Sequence, residues 1–293
     1  MKAGAARRDI TPPVGTGLMG YVPRVSTSVH DALNVTALAL EYDGHKTVML
    51  SITTTTIDDF TTQRIRDCIG KALSIPFENV TVCAWQAHSG PATQSCDGWE
   101  DRNDEYCRNI LEKSCFEAAI EASDNLSAAL TGVEEIDCHV GINRRQILAN
   151  GEVILGQNPF GPYDKAMTAI RFISAADGKP IANIIHYGAH PTAAGASVEI
   201  TRDWPGVMVD CVEKEIGGTT LFINGAVGDV APRITSGRAS GDMEQMLRVG
   251  VEKAEYIYWQ RVINEHKYGN IKTEKICRQT ITRIGDAVKL NRN

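Results

Sequence analysis

The sequence predicts an α/β fold, a single domain in which a mixed β-sheet carries packed helices and opens an active cleft at the carboxyl ends of its strands. Three observations lead there. Apolar residues alternate along short runs such as Asn34 to Tyr42 and Asn79 to His88, the period of a half-buried strand. Between strands lies helical spacing, as at residues 60, 65, 69, 72 and 73, so some connections are crossovers rather than hairpins. Polar residues also collect where strands stop, above all between Ile181 and Arg233. There His190 and the turn Gly225-Ala226-Val227-Gly228-Asp229 each follow an apolar run. In open α/β sheets the ligand crevice lies beyond such strand ends.

In chain order, Ala6 to Tyr21 is rich in Pro and Gly and reads as a loop-rich entry. Asn34 to Tyr42 and Thr47 to Ile52 flank Asp43-Gly44, a hairpin signal. Asp58 to Leu73 is an amphipathic helix with Asp58 or Asp59 as N-cap. Asn79 to His88 alternates and would bring Gln86 and His88 out together at a strand end, followed by a polar loop to about Asn103. Asp104 to Ser123 places Cys107, Leu111, Cys115, Ala118 and Ala119 on the core face of a helix. Val133 to Asn143 reads as a strand ending at Asn143-Arg144-Arg145, with a tight turn at Asn150-Gly151. Met167 to Ile173 pairs through Asp177-Gly178 with a strand from Ala182 to His190, which Pro191 stops, placing His186 and His190 on one face. Val207 to Ile216 is helical, Thr220 to Asn224 is a strand, and Asp242 to His266 is a long helix. Residues 271–293 have no strong period, and no internal repeat or domain linker interrupts residues 1–293.

The 43% hydrophobic content over 293 residues suffices for one large core. A net charge of -6 without a basic stripe argues against nucleic-acid partners and anionic membranes. No run approaches the ~18 apolar residues of a transmembrane segment, and the start MKAGAARRDITPP lacks the apolar core of a secretory signal, so a cytoplasmic protein is expected. Eight cysteines without a Cys-x-x-Cys pair read as buried free thiols rather than a disulfide framework or thiolate zinc site. Assembly into a homo-oligomer is left open.

The strand ends gather the chemistry. A catalytic zinc commonly takes three nitrogen or oxygen ligands and leaves one position for water, and His88 and His190 are the candidate metal ligands. His88 and Asp203 are catalytic candidates at the same strand ends, Gln86, Asn143, Asn224 and Asp229 substrate-binding candidates, and the adjacent Arg144 and Arg145 read by themselves as solvated surface. His30, His45, His139 and His266 lack supporting context, and His186 lies deeper in its strand than His190. The Gly225 to Asp229 turn matches neither a Walker A loop nor a dinucleotide fingerprint.

Six motifs in order, Asp9-Ile10-Thr11-Pro12, His88-Ser89-Gly90-Pro91, Ile142-Asn143-Arg144, His190-Pro191-Thr192, Asp203-Trp204-Pro205-Gly206 and Gly225 to Pro232, resemble the N-terminal domain of the neutral (alkaline, non-lysosomal) ceramidases over roughly residues 4–255. The likeness is greatest to the short bacterial type. The resemblance implies a zinc-dependent amidohydrolase acting on a small-molecule or lipid-like amide, in which the metal activates water and an arginine stabilises developing charge. Carried over by residue, His190 and His88 match metal-site histidines and Arg144 the arginine near the scissile group. Gln86 stands where the family has a metal-binding histidine, Ala231 where it has a serine, and Thr53 where short relatives have an aspartate. The family's zinc-site glutamate and tyrosine have no match before Asn293. Two readings follow: a metal-dependent hydrolase of an amide or related bond with a partly altered site, or a catalytically degenerate relative that binds a small-molecule or lipid-like ligand.

Overall fold

The computed structural model of the chain describes residues 1–233, 235 and 240–254. Its principal strands are β1 (Lys2–Asp9), β2 (Asn34–Tyr42), β3 (His45–Ile52), β4 (Val80–Ala84), β5 (Ser127–Asp137), β6 (Gly141–Ile147), β7 (Val153–Asn158), β8 (Ala166–Ser174), β9 (Pro180–Tyr187), β10 (Thr219–Asn224) and β11 (Val230–Pro232). The helices are α1 (Asp59–Leu73), α2 (Lys113–Asp124), α3 (Asp203–Ile216) and α4 (243–254). Eight strands form one mixed sheet in the order β10-β9-β8-β5-β1-β2-β3-β4, and β7-β6-β11 form a small second sheet. The pairs β3/β4 and β9/β10 are parallel, and the remaining pairs of the large sheet are antiparallel.

The expected mixed sheet with packed helices is present, with one elaboration: the sheet doubles over. Its halves join where β1 meets β5 through just Lys2↔Ala128 and Ala3↔Ser127. The halves then stack, and alternation along each strand separates the layers. Val35, Ala37 and Ala39 of β2 and Val48, Leu50 and Ile52 of β3 pack beneath α1 and α2. Leu38 and Ala3 point the other way, onto Phe172, Ala182, Ile184 and Leu221 of the opposite half. Ile185, Tyr187 and Phe222 face α3 with Trp204, Met208 and Val209. Because β2 is buried on both faces, its sequence is nearly continuously apolar rather than strictly alternating.

Both hairpins form where Asp43-Gly44 and Asp177-Gly178 predict them, with Asp43, Gly44 and Gly178 at φ of 50°, 76° and 72°. Asp58 caps α1, accepting from Thr61 N at 2.8 Å. The helix expected over Asp104 to Ser123 is present, with a π-helical stretch at Cys107–Glu112. Its Cys107, Leu111, Cys115, Ala118 and Ala119 are buried as expected, and all seven described cysteines are free.

Several boundaries need correction. The entry read as loop-rich from Ala6 to Tyr21 begins with the second half of β1, a central strand, and is loop with one two-residue strand beyond Asp9. The Gly and Ala of β1 are poor strand formers, but they let α2 lie directly on the backbone: a Cβ at Gly4 would stand 2.3 Å from Ala122 O. The strand expected over Val133 to Asn143 is split between β5 and β6, in different sheets. β7 was not foreseen. β4 stops at Ala84 rather than His88, β9 at Tyr187 rather than His190, and α3 begins at Asp203 rather than Val207. Of the long helix expected from Asp242 to His266, residues 243–254 are helical, and the remainder lies outside the described residues, as does the tail 271–293. No described helix is long and apolar enough to cross a membrane.

Between the half-sheets, Arg7 donates to Thr36 Oγ1 at 2.9 Å and to both Glu213 oxygens at 3.0 and 2.6 Å, tying β1 and β2 to α3. The packing at Gly4 gives a direct test. Gly4→Ala forces backbone apart and should lower stability by about 1–3 kcal/mol in urea denaturation. Gly132→Ala, where a Cβ meets nothing within 4 Å, should stay within about 0.5 kcal/mol of the parent.

Candidate active site

The cleft forms at the carboxyl ends of β4, β9 and β10. Beyond Ala84 the chain follows the end of β3, with Trp85 N and Gln86 N donating to Ile52 O and Thr54 O at 2.9 Å. Gln86 then turns with φ +67°, a left-handed value few non-glycine residues adopt. His88 therefore reaches the site through a turn, not by strand alternation. His88 is 7% exposed, and its Nδ1 lies 2.8 Å from Gly20 O. Gly20 has φ +110°, and a Cβ there would stand 2.3 Å from His88 Nδ1, so both conformation and space demand glycine.

His190 lies three residues past β9 and is 4% exposed. His186 lies within β9, so the two do not share a strand face. His190 N donates to Val230 O at 2.9 Å, and His190 O accepts from Trp204 Nε1 at 3.0 Å. Its Nδ1 is 2.6 Å from Val227 O. A carbonyl can only accept, so in both neutral rings Nδ1 carries the proton and Nε2 presents a lone pair. The ring centroids of His88 and His190 are 5.7 Å apart.

Arg144 sits in the middle of β6 rather than at a strand end. Its N donates to Asp229 O at 2.7 Å, and its Nε and Nη2 donate to Gly228 O at 3.1 and 2.9 Å. Nη2 also points at His190 Nε2, 3.4 Å away. His88 Nε2 is buried and has no hydrogen-bond partner among the described residues. Burial, then the nearby cationic groups, pulls both histidines from the ordinary 6.5 down to about 4.

The other sequence candidates are placed as follows. Asp203 is 1% exposed, has φ +56°, and accepts from Ala193 N, Ala194 N and Trp204 N, so its carboxylate is committed to backbone behind His190. Asn143 is buried, donates to Pro162 O at 2.9 Å and Asp229 Oδ2 at 3.1 Å, and accepts from Arg145 N at 2.9 Å. Asn224 Nδ2 donates to Trp85 O at 2.6 Å, linking β10 to the turn after β4. Gln86 and Asp229 are half-buried. His88, His190 and Arg144 are thus brought together, while Asp203, Asn143 and Asn224 brace the loops that carry them.

Three aromatic or charged neighbours were missed. Tyr21 and Trp99 pack edge-on against His88, with centroids 5.4 and 6.0 Å away. Arg24 stacks on Tyr21 at 4.9 Å and donates to His88 O and Ser197 O. Their signal was faint: a tyrosine at the end of the entry loop directly after Gly20, an arginine three residues later, and a tryptophan in the polar loop before Asn103.

The implied zinc can be tested against these donors. Anchored Nδ1–H groups and the unpartnered Nε2 of His88 suit imidazole ligation. Number and charge do not: among the described residues no group of three or more His, Cys, Asp or Glu could hold a metal ion. The Arg144 guanidinium also occupies the space before His190 Nε2. The described donor set does not fit a resident catalytic zinc.

Fold and site together define an α/β protein with a doubled sheet and a cleft built around two imidazoles and a guanidinium. That architecture is similar to the crystal structure of neutral ceramidase from Pseudomonas aeruginosa, with TM-score 0.73 and 18% identity, covering 88% of this chain and 44% of that one. A ceramidase complexed with C2 gives TM-score 0.73 and 19% identity, covering 88% and 43%. At that identity the likeness is one of fold, and the chain spans less than half the length of either structure. No protein-family model and no curated protein matches the sequence.

The histidine environments predict a titration outcome. By NMR, the ring protons of His88 and His190 should titrate near pH 4, both rings staying neutral at pH 6. Arg144→Gln removes a nearby positive charge and should move the His190 midpoint upward. Midpoints near 6.5 for both rings in the parent would mean that they are solvated.

Proposed function

We propose that the chain is a hydrolase of an amide or related acyl bond, acting on a small-molecule or lipid-like substrate in the His88–His190–Arg144 cleft. One observation carries this reading: two buried imidazoles present unprotonated Nε2 atoms beside a fixed guanidinium. Water adds to the substrate carbonyl as an imidazole Nε2 takes its proton. The same proton passes to the departing nitrogen or oxygen as the bond to carbon breaks. Arg144, anchored through Gly228 O, offers its remaining N–H groups to the carbonyl oxygen as negative charge develops. Asp203 acts at one remove, holding the loop and the Trp204 indole that position His190. The fold likeness to ceramidases supports the reaction class, and zinc enters only as a loosely held ion through which no step is routed.

Binding without turnover is the second reading, favoured by Gln86 at a position where the family resemblance calls for a metal ligand. Ala231, where that resemblance calls for serine, lies fully buried in β11.

Arg144→Lys keeps the charge but loses the planar fork, and in a screen of amides and esters it should lower turnover by about 10²–10³. Arg145→Lys should leave the rate unchanged, since Arg145 is exposed on the outer side of β6. Parental rates in both variants would remove Arg144 from catalysis, while a ligand that binds the cleft without turnover would favour the second reading. For the metal, calorimetric titration should show weak zinc binding in the parent and affinity raised on the order of tenfold or more in Gln86→His. Equal affinity would mean position 86 is not at the metal.

A further inference from the structure

The cleft holds more fixed positive charge than a neutral amide requires. Arg24 and Arg144 are both half-buried, and among the described residues neither has a carboxylate within ion-pair distance. Other buried or half-buried guanidiniums vary: Arg66 is held by Phe77 O and Val80 O with no carboxylate, whereas Arg7 pairs with Glu213, Arg64 with Glu112 and Arg202 with Asp210. The two cleft arginines are instead fixed by backbone oxygens. Arg24 donates through Nε to Ser197 O at 2.7 Å and through Nη2 to His88 O, and Arg144 donates to Gly228 O. Carbonyls orient a guanidinium without cancelling its charge. Arg24 Nη1 is buried with no hydrogen-bond partner among the described residues, a costly state unless a ligand completes it. Both arginines bear on the same two groups, His88 and Tyr21, so their fields meet in one place. The nearest acids are committed elsewhere, Asp203 to three backbone N–H groups and Asp229 to Asn143.

We propose that Arg24 and Arg144 form an oxyanion clamp, so that the molecule bound in this cleft carries a carboxylate or phosphate close to its amide or acyl bond. The cleavage part of this statement rests on the hydrolase reading, whereas the anion preference stands on the two guanidiniums alone. The clamp also accords with the poor fit to zinc: two guanidiniums with no ion-paired carboxylate, Asp229 bearing on Arg144 from beyond contact, repel a dication and attract an anion.

Isothermal titration with three ligands of equal chain length separates the possibilities: N-octanoylglycine with a carboxylate, N-octanoyl-O-phosphoethanolamine with a phosphate, and neutral N-octanoylethanolamine. An anionic ligand should bind on the order of tenfold or more tighter than the neutral one, and the tighter of the two anions identifies the group. Arg24→Gln should abolish that preference while leaving neutral-ligand affinity unchanged, Arg144→Gln should abolish it and weaken the neutral ligand as well, and Arg145→Gln should retain it. Circular dichroism checks folding. If Arg24→Gln does not fold, Arg24→Lys replaces it and should weaken anion binding alone, because lysine cannot reproduce the fork. Equal affinity for all three ligands in the parent, or a preference that survives loss of the Arg24 fork, overturns the clamp. Anion-selective binding without hydrolysis of any of the three would uphold the clamp and remove the hydrolase reading. Hydrolysis with equal kcat/KM on neutral and anionic amides would do the reverse.

Discussion

Asp203 accepts from Ala193 N, Ala194 N and Trp204 N at 3.0, 2.9 and 2.7 Å, and the cleft depends on that single carboxylate more than on any contact between its own side chains. Three amides that would otherwise be buried without acceptors are satisfied together, and the loop after His190 is fixed to the first turn of α3. Burial raises the Asp203 carboxyl to about 6, while its three donors favour the anion. Trp204, set by the same turn, donates to His190 O and packs edge-on against Phe222 at 5.1 Å. Phe222 in turn meets Trp85 at 5.4 Å, the residue directly after the end of β4. An aromatic column thus runs from α3 through β10 to the turn that delivers His88. The two histidines belong to different half-sheets, yet their loops rest on one packed stack. On its outer side Lys253 Nζ sits 3.3 Å from the Trp204 ring centroid, so α4 holds the column from behind.

Charge balance explains the state of that histidine pair. Burial and neighbouring cations both disfavour imidazolium, so each ring is neutral and its tautomer is set by a backbone carbonyl. A neutral imidazole beside an anchored guanidinium can accept a proton or bind a metal, and the surroundings decide between those uses. A carboxylate among the open donors would offset the charge of a dication. Here the charged groups nearest the pair are Arg24 and Arg144, and Asp203 and Asp229 already have donors. Electrostatics and ligand count point the same way, toward an incoming group that brings negative charge.

How far the sequence revealed this follows from the range of each signal. The hairpins at Asp43-Gly44 and Asp177-Gly178 and the cap at Asp58 are local devices, readable from a few adjacent residues. β1 was invisible because its Lys-Ala-Gly-Ala-Ala-Arg-Arg-Asp sequence is selected by contact with α2, more than a hundred residues away. The break between β5 and β6 was hidden for a related reason. Alternation continues across Cys138 to Val140 while the strand changes sheet, and periodicity carries no information about partners. In the site, His88, His190 and Arg144 stood out through their motifs and converge in space. Tyr21 and Arg24 did not stand out, because a loop residue joins a site through the path of its backbone, and no period in the sequence encodes that path.

The doubling of the sheet supplies the remaining reason for the cleft's position. In the flat strand order, β10 and β4 are the two outer edges, and each belongs to a parallel pair, β9/β10 and β3/β4. Parallel pairs leave both carboxyl ends on the same side, and folding the sheet brings the two edges together, as the bond from Asn224 Nδ2 to Trp85 O records. Ser51 Oγ in β3 reaches Phe222 O in β10 at 2.6 Å, a second bond across the same seam. An exposed strand edge invites pairing with another chain, and here each edge shelters the other. The loops leaving those edges, with His88 on one and His190 on the other, are therefore forced to the same place, and the small sheet of β7, β6 and β11 closes over them with Arg144. Convergence of the three site residues is thus a consequence of how the sheet closes.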